Sequence, residues 1–243
     1  MLNYADAVTL LPDSLDFDKE FYKKHLDASG IPIVARAEVA DSALSKVRRI
    51  IDRMVSKHVV IRRRLARNIK GFLIIPKGSE MTTLPEYADL DQRFPLPSGE
   101  KWDKRAQGVG WAPDYPYVSC SEANLLHLGL PFDRYPNESI CIHEFSHAVL
   151  NAGILFEYPS FASRIDALYE NAKNTYLGNS YAGENRDEYW AEGSQAWFNA
   201  ADCTNRAKSP TCTIHELYQI DPHFAREISK WFPFPFEGSP IFP

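Results

Sequence analysis

His143-Glu144-Phe145-Ser146-His147 places two histidines four residues apart, with a glutamate directly after the first. On a helix, residues four apart share a face. Both imidazoles can therefore turn toward one metal ion, while Glu144 stands beside them at the distance of a bound water rather than of the ion. The spacing alone also arises by chance in unrelated helices, so its setting matters. Ile142, Phe145, Ser146, Ala148 and Val149 are all uncharged, which suits a helix buried on most sides. Two histidines and a glutamate buried there need a compensating partner, and Zn2+ is the expected one. The plainer alternative is a pair of core histidines with Glu144 at the surface.

A zinc site of this kind needs a third protein ligand and keeps one position open. The metzincin pattern would require a glycine at 150 and a histidine at 153, but the chain has Leu150 and Gly153. A later segment, Asp187-Glu188-Tyr189-Trp190-Ala191-Glu192, offers two carboxylates four apart instead. Glu188 can ligate the metal, and Glu192, a turn away, can accept a hydrogen bond from a ligating histidine and fix its tautomer. An exposed acidic stripe is the other reading of this pair. The flanking Tyr189, Trp190, Ala191, Ala196, Trp197 and Phe198 make the helix largely apolar and favour a buried role.

With HEFSHAV followed by DEYWAEGSQAWF, the chain resembles the anthrax lethal factor-like zinc metallopeptidases, which belong with thermolysin to the zincins that use a glutamate ligand. The resemblance spans about Asn137 to Phe198 and takes in Ser180-Tyr181, because that family has a tyrosine seven residues before the ligand glutamate, as Tyr181 stands before Glu188. It implies His143, His147 and Glu188 as metal ligands, Glu144 as general base, Glu192 as the residue behind a ligand, and Tyr181 as the donor to the oxyanion. The implied activity is zinc-dependent endopeptidase action on a protein or peptide. Ser119-Cys120-Ser121-Glu122 and the residues after it look like part of the same catalytic domain. The toxin's cell-binding modules have no room in 243 residues, so toxin activity is not implied. Two other functions compete: an inactive zinc-binding pseudopeptidase, which would need neither Glu144 nor Tyr181, and a zinc hydrolase of a small non-peptide amide.

Hydrophobic residues at 44% and charged residues at 24% describe a globular chain. An α+β, zincin-like catalytic domain is expected over 1–243, with a small sheet and helices in 1–135 and a predominantly helical zinc-binding part in 136–243. A formal charge of −5 gives no global basic field, so nucleic acid is not an expected partner. No apolar run approaches the roughly 20 residues that cross a bilayer, so no membrane partner is expected either, and the opening residues carry no signal-peptide pattern. A monomer is expected. Cys203 and Cys212 bracket a polar loop and are expected to pair, which points to a secreted, extracellular protein. Cys120 with Cys141 is a weaker pairing, set against two reduced thiols.

Pattern and punctuation predict a short helix over 17–30 ended by Gly30, a strand over 31–37, and a helix capped by Asp41 or Ser42. A second helix over 59–68 carries Arg62, Arg63, Arg64 and Arg67 on a solvated face, and a buried strand covers 71–76. Loops and edge strands are expected over 77–117. Within 108–121, Trp111, Tyr115 and Tyr117 are candidates for a substrate wall or for core packing. Four helices should dominate the rest, with Asn137 and Gly153 bounding the motif helix and Asp221-Pro222 opening the last. The proline-rich tail over 232–243 should pack as an extended strap. His25, His58, His127, His215 and His223 lack partners at ligand spacing, and the sequon at Asn137 abuts the motif helix.

Overall fold

The computed structural model describes residues 7–235; most of the expected tail strap lies outside them. The fold is α+β, built on a six-stranded mixed sheet. Its strands are β1 Thr9–Leu10, β2 Lys24–Ala28, β3 Ile31–Ala35, β4 Gly71–Ile75, β5 Gly108–Val109 and β6 Tyr117–Ser121, in the order β1-β2-β3-β4-β6-β5. β3, β4 and β6 run parallel, while β1-β2-β3 and the β6-β5 pair are antiparallel.

The helix expected over 17–30 is not formed. Lys24–Ala28 instead pairs with Ile31–Ala35 across a two-residue turn, in which Ser29 and Gly30 both take left-handed φ values of 55° and 90°. Such a turn matches the twist of the strands it joins. Leu26 and Ala28 point inward while their neighbours are half-exposed, so the period is two and Gly30 marks a hairpin rather than a helix end.

The sheet divides the core. On one face lie Ile33, Phe72, Ile74 and Val118 with helices α1 Asp41–Met54 and α2 Val59–Asn68; on the other, Val34, Leu73 and Ile75 meet Tyr22, Leu84 and Tyr87. The stripe Leu44, Val47, Ile50, Ile51 and Met54 buries α1 as its spacing predicts. Neither Asp41 nor Ser42 caps it: the first position outside the helix is Ala40, whose amide donates to the buried carboxylate of Glu122 at 2.8 Å. Between β4 and β6 the chain makes short turns and the small helices α3 Leu90–Arg93 and α4 Trp102–Arg105.

After β6 come α5 Glu122–Leu126, α6 Ile140–Ala148, α7 Leu155–Glu157, α8 Phe161–Ala172, α9 Arg186–Trp197, α10 Ile214–Ile220 and α11 Pro222–Trp231. Ser139, not Asn137, caps α6, its hydroxyl accepting from the Ile142 amide. Gly153 does not end that helix. The chain widens into a π turn over Val149–Ile154 and continues into α7, and a Cβ at Gly153 would meet Ile61 at 3.0 Å and Leu65 at 3.1 Å on α2. Asp221 and Pro222 do open α11, the Asp221 carboxylate accepting from the Phe224 amide at 3.0 Å.

Cys203 and Cys212 are joined, closing the loop between α9 and α10. Cys120 and Cys141 remain free thiols, both buried between β6 and α6, so the weaker pairing is not made. No helix among the described residues is long and apolar enough to cross a membrane.

Candidate metal and active site

Two helices bring the donors together. Helix α6 carries His143, Glu144 and His147, and α9, packed against it, carries Glu188, Glu192 and Gln195. The start of α9 is fixed by Asn185, whose side-chain oxygen accepts from the amides of Asp187 and Glu188, both at 2.9 Å. Such capping stabilises a helix end by about 1 kcal/mol. Here it also sets where the Glu188 side chain begins.

His143 Nε2, His147 Nε2 and Glu188 Oε2 form a compact triangle with edges of 3.2, 3.1 and 3.5 Å. These three residues could hold a metal ion. The electrostatics fit a bound cation. Burial would push the His143 imidazolium pKa down, yet its contacts with Glu188 and Glu192 outweigh burial and hold it well above the ordinary value. Burial would likewise raise Glu188, but the hydrogen bonds of His143 and His147 carry it well below the carboxylate range. Burial raises the Glu144 carboxyl against the opposing pull of the two histidines.

Behind the triangle, His143 Nδ1 donates to Gln195 Oε1 at 2.9 Å, and Glu192 Oε1 lies 3.4 Å from the same nitrogen. The hydrogen bond expected to fall on Glu192 is thus taken by Gln195. Its amide cannot face the other way, because its NH2 donates to Glu138 Oε2 at 3.0 Å and to the Ser139 carbonyl at 3.1 Å. Glu192 is 1% exposed, and its Oε1 is flanked by His143 and by Lys208 at 3.5 Å.

Tyr181 lies in a single 3-10 turn before α9, its ring stacked near His143 with centroids 6.2 Å apart. Its hydroxyl accepts from Arg105 Nη2 at 3.4 Å. Burial, reinforced by the charge of Glu188, raises its pKa, so the phenol remains a neutral donor across the physiological range.

His143, Glu144, His147, Tyr181 and Glu188 all line one cleft of about 490 Å³. Its far wall is the edge strand β5 and the residues after it. A Cβ at Gly110 would stand 2.7 Å from His147 Cβ and 3.2 Å from the Glu144 carbonyl, so this strand approaches α6 more closely than a side chain permits. Trp111 and Tyr115 also line the cleft, anchored by hydrogen bonds to the Asn68 carbonyl at 2.8 Å and to Asp89 at 2.7 Å. Tyr117 does not: it packs in the second core cluster. The other five histidines lie outside the cleft.

Gln195, Arg105 and Lys208 were not anticipated. Gln195 had a signal, since positions 188, 192 and 195 continue one helical stripe. Arg105, at the end of the short helix α4, and Lys208, in the loop between α9 and α10, had none.

No protein-family model matches the chain, and no curated protein resembles it significantly. Among solved structures, the Pro-Pro endopeptidase of Paenibacillus alvei is similar over 82% of this chain and 97% of its own, with a TM-score of 0.53 at 20% identity. At that identity the likeness speaks for the fold alone, an α+β zincin-like arrangement.

Proposed function

We propose that this protein is a zinc-dependent endopeptidase in which His143, His147 and Glu188 hold the metal, Glu144 is the general base and Tyr181 donates to the oxyanion. The observation that carries the reading is the donor triangle. Bonds of 2.0–2.1 Å to a tetrahedral zinc separate the ligand atoms by about 3.3–3.4 Å, and the edges here run from 3.1 to 3.5 Å. The donor set also suits the metal, because imidazole and carboxylate in a His-Glu-x-x-His pattern are zinc ligands of hydrolases. When bound, zinc supplies Lewis acidity and brings the pKa of water at its open position to about 7.

The chain's own residues do the rest. Glu144, at the cleft beside the triangle, takes a proton from the attacking water and passes it to the leaving amine. The raised pKa of its carboxyl suits a group that must both accept and return that proton. Tyr181, kept neutral, donates its hydroxyl hydrogen to the negative charge that develops on the scissile carbonyl oxygen. Gln195 holds a proton on His143 Nδ1, which leaves the Nε2 lone pair free for the metal. The cleft favours a peptide over a small amide, because it runs past the triangle along a strand edge with aromatic side chains. Kinship with the anthrax lethal factor group in particular, and an extracellular site of action, belong to the same proposal, the second resting on the Cys203–Cys212 bond.

The test is metal content with and without a chelator, and cleavage of a peptide panel that includes Pro-Pro bonds, using Glu144→Ala as the blank. About one zinc per chain, chelator-sensitive cleavage, and a Glu144→Ala protein that keeps its metal but loses about 10²–10⁴ in turnover are expected. A wild-type protein that takes up no metal sinks the reading.

A further inference from the structure

Lys208 brings a cation to the back of the donor cluster from outside α6 and α9. It lies in the loop that the Cys203–Cys212 bond closes. Its Nζ donates to Glu138 Oε2 at 2.5 Å and stands 3.5 Å from Glu192 Oε1, and both carboxylates are almost wholly buried. The same Glu138 oxygen receives the Gln195 amide, and Gln195 in turn orients His143. A chain of contacts therefore runs from Lys208 through Glu138 and Gln195 to a proposed metal ligand.

The loop has a second hold on the site. The Ala207 carbonyl accepts from the Tyr181 amide at 3.3 Å and the Lys208 carbonyl from the Ala182 amide at 3.1 Å, so the turn that presents the Tyr181 hydroxyl hangs on this backbone. The Lys208 ammonium also lies 5.7 Å above the Tyr181 ring. The loop itself is anchored at two points besides the disulfide: Arg206 grips Glu216 through two hydrogen bonds of 2.7 and 2.8 Å, and the Cys212 amide donates to the same carboxylate at 2.9 Å.

We propose that Lys208, delivered by the disulfide-closed loop, is a positioning residue that fixes the orientation of His143 from behind and of Tyr181 from beside it. The proposal rests on the endopeptidase reading above. A cation is required there because Glu138 and Glu192 bring two buried carboxylates to one spot, and an uncompensated buried charge relaxes by moving, taking Gln195 with it. The loop does by covalent closure what a helix does by hydrogen bonding: it brings a flexible lysine to a fixed place.

The experiment charges wild type, Lys208→Met, Lys208→Arg and the double variant Cys203→Ser/Cys212→Ser with zinc or cobalt(II). Metal content, the visible spectrum of the cobalt form, and kcat and KM on a cleaved peptide are then compared. A wild-type protein that takes up no metal overturns the functional reading itself, and that is seen before any variant is made. With metal bound, Lys208→Met is expected to shift the cobalt spectrum and to lower kcat about 10–100-fold with little change in KM. Lys208→Arg, which restores the cation, is expected to recover most of both. The double serine variant leaves every side chain around the metal in place and is expected to lose kcat as Lys208→Met does. It also decides the matter if Lys208→Met does not fold, since a wild-type kcat and spectrum in it overturn the proposal. So does a folded Lys208→Met indistinguishable from wild type, or a Lys208→Arg no better than Lys208→Met.

Discussion

The Trp190 indole donates its Nε1 hydrogen to the Ser146 carbonyl at 2.9 Å, tying the helix that carries Glu188 to the helix that carries both histidines. Trp190 is fully buried and meets Phe161, Phe224 and Phe232 around its rings. The bond therefore also sets the angle at which the third donor meets the other two.

Trp190→Phe removes that bond and part of the ring's volume. A loss of about 2–4 kcal/mol in unfolding free energy is expected, combining a lost buried hydrogen bond with a partly collapsed cavity. Denaturant unfolding of the metal-free protein measures it, and titration with zinc should show weaker binding in the same variant. Equal zinc affinity in both proteins would mean that the α6–α9 angle is held elsewhere.

Gly110→Ala tests the wall of the cleft. The new methyl would meet His147 Cβ and the Glu144 backbone, neither of which can swing aside as a flexible side-chain end could. The edge strand must move outward, and displacements of about 1 Å near a reacting centre can cost on the order of 10²-fold in rate. Metal content should stay near wild type while kcat/KM falls at least tenfold, by about the same reasoning. Unchanged kinetics in a folded variant would separate β5 from the substrate.

Tyr181→Phe is expected to keep fold and metal and to lose about 10²–10³ in kcat with KM nearly unchanged, because the hydroxyl is proposed to act only on the transition state. Steady-state kinetics at saturating peptide decide it. A kcat within a few-fold of wild type would leave Tyr181 as a ring packed beside His143 and no more.

Acid sensitivity should sharpen at one identifiable carboxylate. The hydrogen bonds of Arg206, helped by the backbone amides of Cys212 and Thr213, lower the Glu216 pKa to about 2. A depressed folded-state pKa contributes stability that is present above the unfolded value, near 4.5, and is lost as pH falls toward 2. The wild type should therefore lose stability between these values more steeply than Glu216→Gln. Melting curves across that range compare the two slopes, and parallel slopes would rule out Glu216 as the source.

Much of this site was legible because helical spacing is a local property. Two histidines four apart, and two glutamates four apart in an apolar setting, place themselves once α6 and α9 form. What escaped the sequence depends on contacts between distant segments. Gln195 shares the helical stripe of 188 and 192, but its amide is turned toward His143 by Glu138 and Ser139, far from it in the chain. The hairpin at Ser29-Gly30 was missed for another reason: Lys23-Lys24-His25 is compatible with either period, and tertiary pairing with β3 decides between them. Gly153 suggested a helix end, although its lack of a side chain serves the approach of α2.

The edge strand β5 is two residues long and pairs with β6 only through Gly108 and Val109. An extended peptide laid against its open side gains a main-chain ladder just as short. Recognition of such a peptide would then have to come from a few pockets rather than from a long run of backbone pairing, so that side chains beside β5 would be read and those a few residues away would not. The same brevity is protective, because an edge this short gives the sheet of another molecule too little to grip.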